Sequence, residues 1–473
     1  MADNSNVKST TKSTTKTAAK AATKTTAKTT AKTAAKTSPD TSPKVKSRKR
    51  KVSEIVAKLE SVKAPGFGNP EYRMLAKDFF VSNNTHATKL NNNDIIIGSS
   101  GRGKTTGYVS PLIEQKCGSM LITDTKNDLY DRHAKDLKKA GYRVLKLDMM
   151  GRPDSCSYNP LDFVGYDPKT DTYSDKDITS IAEMLCPVGL EEKDPFWPSS
   201  AQIFITALIS YLLESTPKEE HNFKNLIKLY KSCLDSKTAE MLFAELEAEN
   251  PDSFAVTRYH MFKSVTGAER TYACIMMFVA TAFMGFDCAD TDHVFNRKSS
   301  FKFEDFGKEK TAVFLNVSDT DRSQDRLVNI FYSQALDNLI KYADSLPGKK
   351  LAIPVRLVLD DFATNTVIPN FSKLISIIRS REISVSIILQ SISQLNEIYT
   401  QFESNTVISN CDHMLFLGTS DVETAKYIGE KMNKPYYNIL NMPIDTAFIF
   451  ESGNPRGGME VEKYRPDYFD KCI

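Results

Sequence analysis

The densest chemical signal in the chain is the run Gly98-Ser99-Ser100-Gly101-Arg102-Gly103-Lys104-Thr105. It fits the spacing G-x-x-x-x-G-K-[ST] at every fixed position. Asp94-Ile95-Ile96-Ile97 reads as a short strand before it, and 105–114 can open a helix after it, which is the context this spacing needs. The glycines let successive backbone N–H groups close around phosphate oxygens, and the helix N-terminus adds a favourable dipole. Lys104 is placed to reach the β- and γ-phosphates and the Thr105 hydroxyl to ligate Mg²⁺, while Gly98, Ser99, Ser100, Gly101, Arg102, Gly103 and Thr106 line the site. The implied ligand is ATP with Mg²⁺.

Chemistry at the far end of a triphosphate needs carboxylates, and residues 355–361 supply them. An apolar strand there ends in Asp360 and Asp361. The first acid of such a pair holds Mg²⁺ and the second polarises the attacking water, so Asp360 is assigned to the metal and Asp361 to the base. A second apolar strand at 384–389 ends in Gln390, whose amide can orient water or sense the γ-phosphate. Arg379 and Arg381 precede that strand; Arg379 is the candidate arginine finger acting on a neighbouring subunit. Asp124, at the end of a strand over 119–123, can support the magnesium shell or cap the next helix.

These residues need a scaffold of alternating strands and helices. Strands are expected at 94–97, 119–123, 144–148, 311–317, 355–360, 384–389, 413–417 and 447–451. Helices fit at 129–140, closed by Gly141, and at 325–343, 370–381 and 422–431. The fold class is therefore α/β: a phosphate-loop NTPase with a mainly parallel sheet covered by helices on both faces. Between 187 and 297 the apolar spacing is helical throughout, at 201–214, 223–233, 237–249 and 270–286. This reads as an inserted all-α domain, and it explains the long gap from Lys104 to Asp360. The domain boundaries are 1–51 for a basic arm, 52–93 for a linker with a helix at 52–59, and 94–186 and 298–473 for the two halves of the nucleotide-binding domain.

Charge is unevenly spread. Residues 1–51 hold 12 Lys and 2 Arg against Asp3 and Asp40, a net +12, which leaves −9 for the rest of a chain whose total is +3. The arm is built from Thr, Lys, Ala and Ser, with nothing apolar to bury, and reads as disordered. Three readings of it stand side by side: a solubilising tail, a nuclear-targeting signal in the basic run 46–51, and an arm for a polyanion, DNA first, through salt-sensitive phosphate contacts. The eight cysteines form no C-x-x-C pair and read as reduced thiols of a cytoplasmic protein. Apolar runs at 203–213 and 273–286 are too short to span about 30 Å of hydrocarbon and read as buried helices.

Taken in order, the motifs resemble the type IV secretion or conjugative coupling proteins, the TraG/TraD-like group related to FtsK-type motor ATPases. The stretches that carry the likeness are the loop 98–105, Tyr108-Val109-Ser110-Pro111-Leu112-Ile113 and Leu121-Ile122-Thr123-Asp124-Thr125-Lys126-Asn127-Asp128-Leu129-Tyr130. Tyr158-Asn159-Pro160-Leu161-Asp162, Phe196-Trp197, Leu359-Asp360-Asp361-Phe362-Ala363-Thr364 and the strand ending in Leu389-Gln390-Ser391 complete it. The resemblance implies an ATP-driven hexameric ring that binds DNA, receives relaxase-bound cargo and passes it to a secretion channel. The helical insertion then corresponds to the all-α domain that contacts cargo. Such proteins usually begin with transmembrane helices, where this chain has the lysine arm. Placement at the inner face of the membrane would then come through a membrane-embedded secretion partner. The family usually has Glu where Asp361 stands, one methylene longer, which implies slow hydrolysis. Two other readings compete: a nucleotide-binding cargo adaptor with little hydrolysis, and a kinase or phosphotransferase with a second-substrate pocket near Asp124.

Overall fold

The computed structural model describes residues 68–466, apart from 190–192, 319, 321, 363–366 and 456. The basic arm and the helix expected at 52–59 lie outside the described residues. Nine strands form the central sheet. In chain order they are β3 (Asp94–Gly98), β4 (Ser119–Asp124), β5 (Arg143–Asp148), β8 (Thr311–Asn316), β9 (Val355–Leu359), β10 (Ile383–Leu389), β11 (His413–Gly418), β12 (Thr446–Glu451) and β13 (Met459–Glu462). Across the sheet the order is β13-β12-β11-β3-β10-β9-β4-β8-β5. The seven strands from β11 to β5 run parallel; β12 and β13 are antiparallel to their neighbours.

Parallel strands covered on both faces must be apolar at consecutive positions. β3 (DIIIG) and β8 (TAVFLN) are buried at every residue. Alternate side chains feed two cores. Ile95, Ile97, Val313, Leu315, Leu357 and Leu359 point to the larger one, which continues into the helical insertion. Ile96, Ala312, Phe314 and Val358 point to the smaller one, beneath Tyr108, Val109 and Leu112 of the segment that follows the phosphate loop.

Between β5 and β8 the chain is mostly helical. Helix Phe196–Ser215 is its spine, packed by Phe254–Val265 and Glu269–Phe283. Phe196–Ser215 is, among the described residues, the one helix long and apolar enough to cross a membrane; 67% of its most apolar window is buried inside the fold. Burial of Phe204, Ile205, Leu208, Ile209 and Leu212 accounts for that apolar composition.

The structure departs from sequence expectation in several places. A hairpin of β1 (Tyr72–Ala76) and β2 (Phe79–Ser82) occupies the linker, turning at Asp78 with φ 56°. A small ribbon pairs β6 (Tyr166–Asp167) with β7 (Thr172–Tyr173), and β13 adds an edge strand. Helix Phe254–Val265, capped by the Ser253 hydroxyl, was not foreseen: its exposed side carries Met261 and Val265, which blurs the periodicity. The helix expected over 370–381 is only Phe371–Leu374, followed by a 3₁₀ turn at Arg379–Arg381. The β-branched Ile375, Ile377 and Ile378 and the Ser376 among them are weak helix formers, and Ile375 and Ile378 are drawn into the core.

Candidate nucleotide site

Because β3, β9, β10 and β11 are parallel, their C-terminal ends share one edge, the edge where open α/β sheets bind ligands. Gly98, Asp360, Gln390 and Gly418 all emerge there. Gly101 and Gly103 turn the loop with φ of 76° and 85°, conformations that a side chain disfavours. The loop is pinned to β11 from outside: Ser99 N–H donates to the Gly418 carbonyl at 3.0 Å, and Ser420 N–H donates to the Ser99 hydroxyl at 3.2 Å. Lys104 is buried, and its ammonium donates to the Gly98 carbonyl at 2.8 Å, folded back over its own loop.

Thr105 and Asp360 are 255 residues apart in sequence, yet the Thr105 hydroxyl donates to the Asp360 carboxylate at 3.1 Å. One strand, β10, separates the two strands that carry them. Asp360 is 5% exposed. Burial, reinforced by the neighbouring Asp361 carboxylate, pushes its carboxyl up to about 6, against the opposing pull of the Thr105 hydroxyl and the Lys104 ammonium. These residues fit Mg²⁺: two hard oxygen donors converge, and a divalent cation would supply the countercharge that burial makes necessary. Among the described residues, no set of three His, Cys, Asp or Glu side chains is arranged to hold a metal by itself; Mg²⁺ held partly by substrate phosphates needs none.

Asp361 takes a left-handed backbone conformation, φ 48°, and its N–H donates to Asp360 Oδ1 at 3.1 Å. The Gln390 amide approaches Asp361 Oδ1 at 3.5 Å, a long contact. Gln390 N–H is in turn held by the side chain of Gln394 at 3.2 Å, on the helix Ile392–Ile398 that Ser391 caps. So Lys104, Thr105, Asp360, Asp361 and Gln390 come together.

The two arginines do not join them. Arg379 and Arg381 sit at the other end of β10 from Gln390. The Arg379 guanidinium donates to the Thr85 carbonyl at 3.0 Å, and that of Arg381 to Asp344 at 3.0 Å. Asp124 ends its strand as expected, but its two oxygens accept from the N–H groups of Asp128 and Tyr130. Its carboxylate therefore shapes the turn into helix Leu129–Lys139. Sequence reasoning passed over Lys463, which lies against the loop from the C-terminal end of β13: its ammonium donates to the Leu417 carbonyl at 2.7 Å. A lone lysine in a polar tail carries no local signal for such a place. Gly418, with φ 110° against the Arg102 guanidinium, was also missed.

The family model described as "Type IV secretory system Conjugative DNA transfer" matches residues 43–434. The protein VirD4 of Rhizobium radiobacter is 22% identical over 371 residues, covering 76% of this chain and 50% of that protein. VirD4 of Agrobacterium fabrum is 22% identical over 362 residues, covering 76% and 52%. The chain thus spans about half the length of the curated relatives it matches. Among solved structures, the bacterial conjugative coupling protein TrwBdeltaN70 in complex with sulphate superposes with a TM-score of 0.61 at 16% identity, over 79% of this chain and 86% of that one. The plasmid coupling protein TrwB in complex with ADP and Mg²⁺ gives 0.58 at 16%, over 79% and 86%. The likeness to TrwB is one of fold, whereas the family match runs through the phosphate loop, the helical insertion and the Asp360 strand: this chain belongs to the type IV secretory, conjugative DNA-transfer family.

Proposed function

We propose that the chain is an ATP-driven coupling protein that delivers DNA and a protein bound to it to a type IV secretion channel. The observation that carries the reading is the 3.1 Å approach of Thr105 to Asp360, which unites the phosphate loop with the acid strand. TrwB in complex with ADP and Mg²⁺, and with non-hydrolysable ATP and GTP analogues, supports the same ligand class. In this reading Lys104 leaves the Gly98 carbonyl to hold the β- and γ-phosphates, and Thr105 with Asp360 holds Mg²⁺. The metal supplies positive charge to the phosphoryl oxygens. Asp361 and Gln390 position the attacking water. The subunits form a homo-oligomeric, hexameric ring with DNA inside it, and helices 196–295 form the cargo-facing domain that meets relaxase. The ring works at the cytoplasmic face of the membrane through a membrane-embedded partner of the secretion apparatus. Arg379 lies away from the site of its own subunit, with its guanidinium on the Thr85 carbonyl, and in this reading it acts on a neighbour's nucleotide.

The short Asp361 side chain favours one second reading, an adaptor that binds ATP and turns it over slowly. The phosphotransferase reading gains nothing from Asp124, whose two oxygens each accept a backbone N–H at the turn into helix Leu129–Lys139.

The test is ATPase activity with and without single- and double-stranded DNA, on the wild type and Lys104→Ala. DNA-stimulated turnover that falls at least about a hundredfold in the variant, with unchanged thermal stability, is expected. Turnover equal in the two proteins would remove the motor reading; ATP binding without turnover in the presence of DNA would establish the adaptor.

A further inference from the structure

Past the end of β11 the chain runs through Thr419, Ser420 and Asp421 into helix Val422–Met432. β3 lies between β11 and β10, so a strap that leaves β11 and bonds to the segment after β10 passes the end of β3, where the phosphate loop begins. On the loop side the strap holds Ser99 through the two bonds given above, at Gly418 and Ser420. On the other side it meets helix Ile392–Ile398. The Asp421 carboxylate accepts the Thr424 N–H at 2.9 Å. The same oxygen, Oδ2, accepts the Ser393 hydroxyl at 2.9 Å and the Thr424 hydroxyl at 2.6 Å. The Thr424 hydroxyl oxygen in turn accepts the Ile392 N–H at 2.9 Å.

Capping a helix needs only the first of these bonds: Asp421 on the Thr424 N–H is an ordinary N-cap. The Ser393 and Ile392 bonds leave that helix and serve its neighbour. Ile392 opens helix Ile392–Ile398, and its N–H is one of the first-turn donors that a helix cannot satisfy by itself. Ile392 and Thr424 are both buried, so the N–H would lose its partner if the Thr424 hydroxyl were removed. Burial opposes ionisation of Asp421, but the bonds from Thr424 and Ser393 hold its carboxyl below the ordinary carboxylate range. A hydroxyl whose proton is committed to that carboxylate keeps its oxygen for Ile392. Two residues before Ile392 stands Gln390. Its N–H goes to Gln394 Oε1, and the Gln394 N–H goes to the Ser391 hydroxyl at 3.3 Å. The turn that aims the Gln390 amide at Asp361 is thus held within its own helix by Gln394 and from outside it by Thr424.

We propose that Thr424 is a positioning residue for ATP hydrolysis: by holding the Ile392 N–H it sets the turn that carries the Gln390 amide, and it ties that turn to the phosphate loop through the strap 418–421. This role rests on the nucleotide reading above and extends it. In that reading Gln390 positions the attacking water, whereas Thr424 acts only through Gln390. A misplaced amide orients water poorly but leaves the grip of the loop on the triphosphate unchanged. The strap's bonds to Ser99 come from the backbone of Gly418 and Ser420, ahead of Thr424 in the chain, so the loop keeps them. The loss on changing Thr424 therefore falls on kcat and not on ATP affinity.

The experiment measures DNA-stimulated ATP turnover, and the affinity for a non-hydrolysable ATP analogue by calorimetry, on the full chain. The proteins are the wild type, Thr424→Val, Thr424→Ser, Gln390→Ala and the double variant of Thr424→Val with Gln390→Ala. Valine keeps the volume and loses both hydroxyl bonds; serine keeps the hydroxyl. Thr424→Val should lower kcat about tenfold with analogue affinity held within about twofold, and Thr424→Ser should recover most of the loss. In the Gln390→Ala background Thr424→Val should cost less than about twofold more, because the amide it positions is gone. Ser393→Ala cuts the strap's second bond to the same turn at a half-buried position. It should follow the same pattern at about threefold, and it carries the test if valine at 424 unfolds the chain. A wild-type kcat in Thr424→Val, an equal fall in analogue affinity, or the full tenfold loss repeated in the Gln390→Ala background overturns the proposal and leaves Thr424 a packing residue. So does Gln390→Ala with a wild-type kcat. The nucleotide reading survives each of these results so long as Lys104→Ala stays inactive. A wild type that binds the analogue but turns over no ATP with DNA present overturns this proposal and leaves the adaptor; one that does not bind it overturns both.

Discussion

At the scale of single residues, the site at one end of β3 depends on a charge cluster at the other. Asp94 opens the strand that ends in the phosphate loop. Its carboxylate takes two bonds from the fully buried Arg73, at 2.8 and 2.7 Å, and one each from Arg356 at 3.0 Å and Tyr108 at 2.7 Å. Burial works against that carboxylate, but the two guanidiniums hold it down at about 2. Tyr108 belongs to the turn after the loop, Arg356 to β9 and His413 to β11, so one cluster sets four pieces of the site in register. His413 Nδ1 accepts from Arg73 at 2.9 Å, which requires a neutral ring, and burial with Arg73 lowers it to about 4. The unfolded chain takes up that proton near 6.5. The contribution is therefore complete above pH 6.5 and is lost as pH falls toward 4, about 3 kcal/mol in all. Asp360, raised to about 6, acts oppositely, since its folded form keeps the proton. Thermal melts from pH 7 to 4.5 on wild type and His413→Asn cancel the Asp360 share. The wild type should lose stability more steeply; parallel curves would mean that His413 is charged in the folded state. At this scale the sequence was legible wherever chemistry forces neighbours in the chain, as in residues 98–105 or the paired acids. It was opaque for Lys463 and Arg379, whose surroundings are set by segments hundreds of residues away.

At the scale of elements, buried parallel strands were easy to read because both of their faces must be apolar. The hairpin of β1 and β2 was not, since its strands are short and Arg73, a charged residue, is among the most buried in the fold. The segment after the loop was read as a plain helix. It is a π-helical turn over Thr105–Val109 that leads into helix Ser110–Gln115. Such turns recur at functional sites, and no periodicity argument reveals one five residues long. Joins between elements also escape pattern reading, and glycines mark them. Gly151 follows β5 with φ 78°, and a Cβ there would stand 2.3 Å from the Asp290 carbonyl oxygen at the end of the helical insertion. Gly141, past the end of helix Leu129–Lys139, has φ 82° with nothing within 4 Å. Gly141→Ala should therefore cost about 1 kcal/mol from backbone conformation alone. Gly151→Ala should cost about 3 kcal/mol or more, because backbone must also move. Urea unfolding of the two variants measures the difference. Equal losses would show that the insertion yields freely at this join.

At the scale of the whole molecule, the charge distribution sets the terms for the DNA binding proposed above. The body outside residues 1–51 carries −9 and the arm +12. A duplex approaching the body alone meets net repulsion, so attraction at a distance must come from the arm, and any channel must gather its cations locally. The arm can neutralise several phosphates, each releasing counterions, and the logarithm of affinity then falls with the logarithm of salt by about 0.9 per phosphate on duplex DNA. Removing residues 1–51 should weaken binding most at low salt and flatten that slope by several units. The two proteins should converge at high salt, where the arm's share has been screened away. ATPase stimulation at saturating DNA tests the division of labour. If the arm only recruits, the truncated chain reaches the same maximal rate at a higher DNA concentration. A truncated chain with an unchanged slope would mean that the arm contacts no phosphate. One with a lower maximal rate would place the arm within the coupling step.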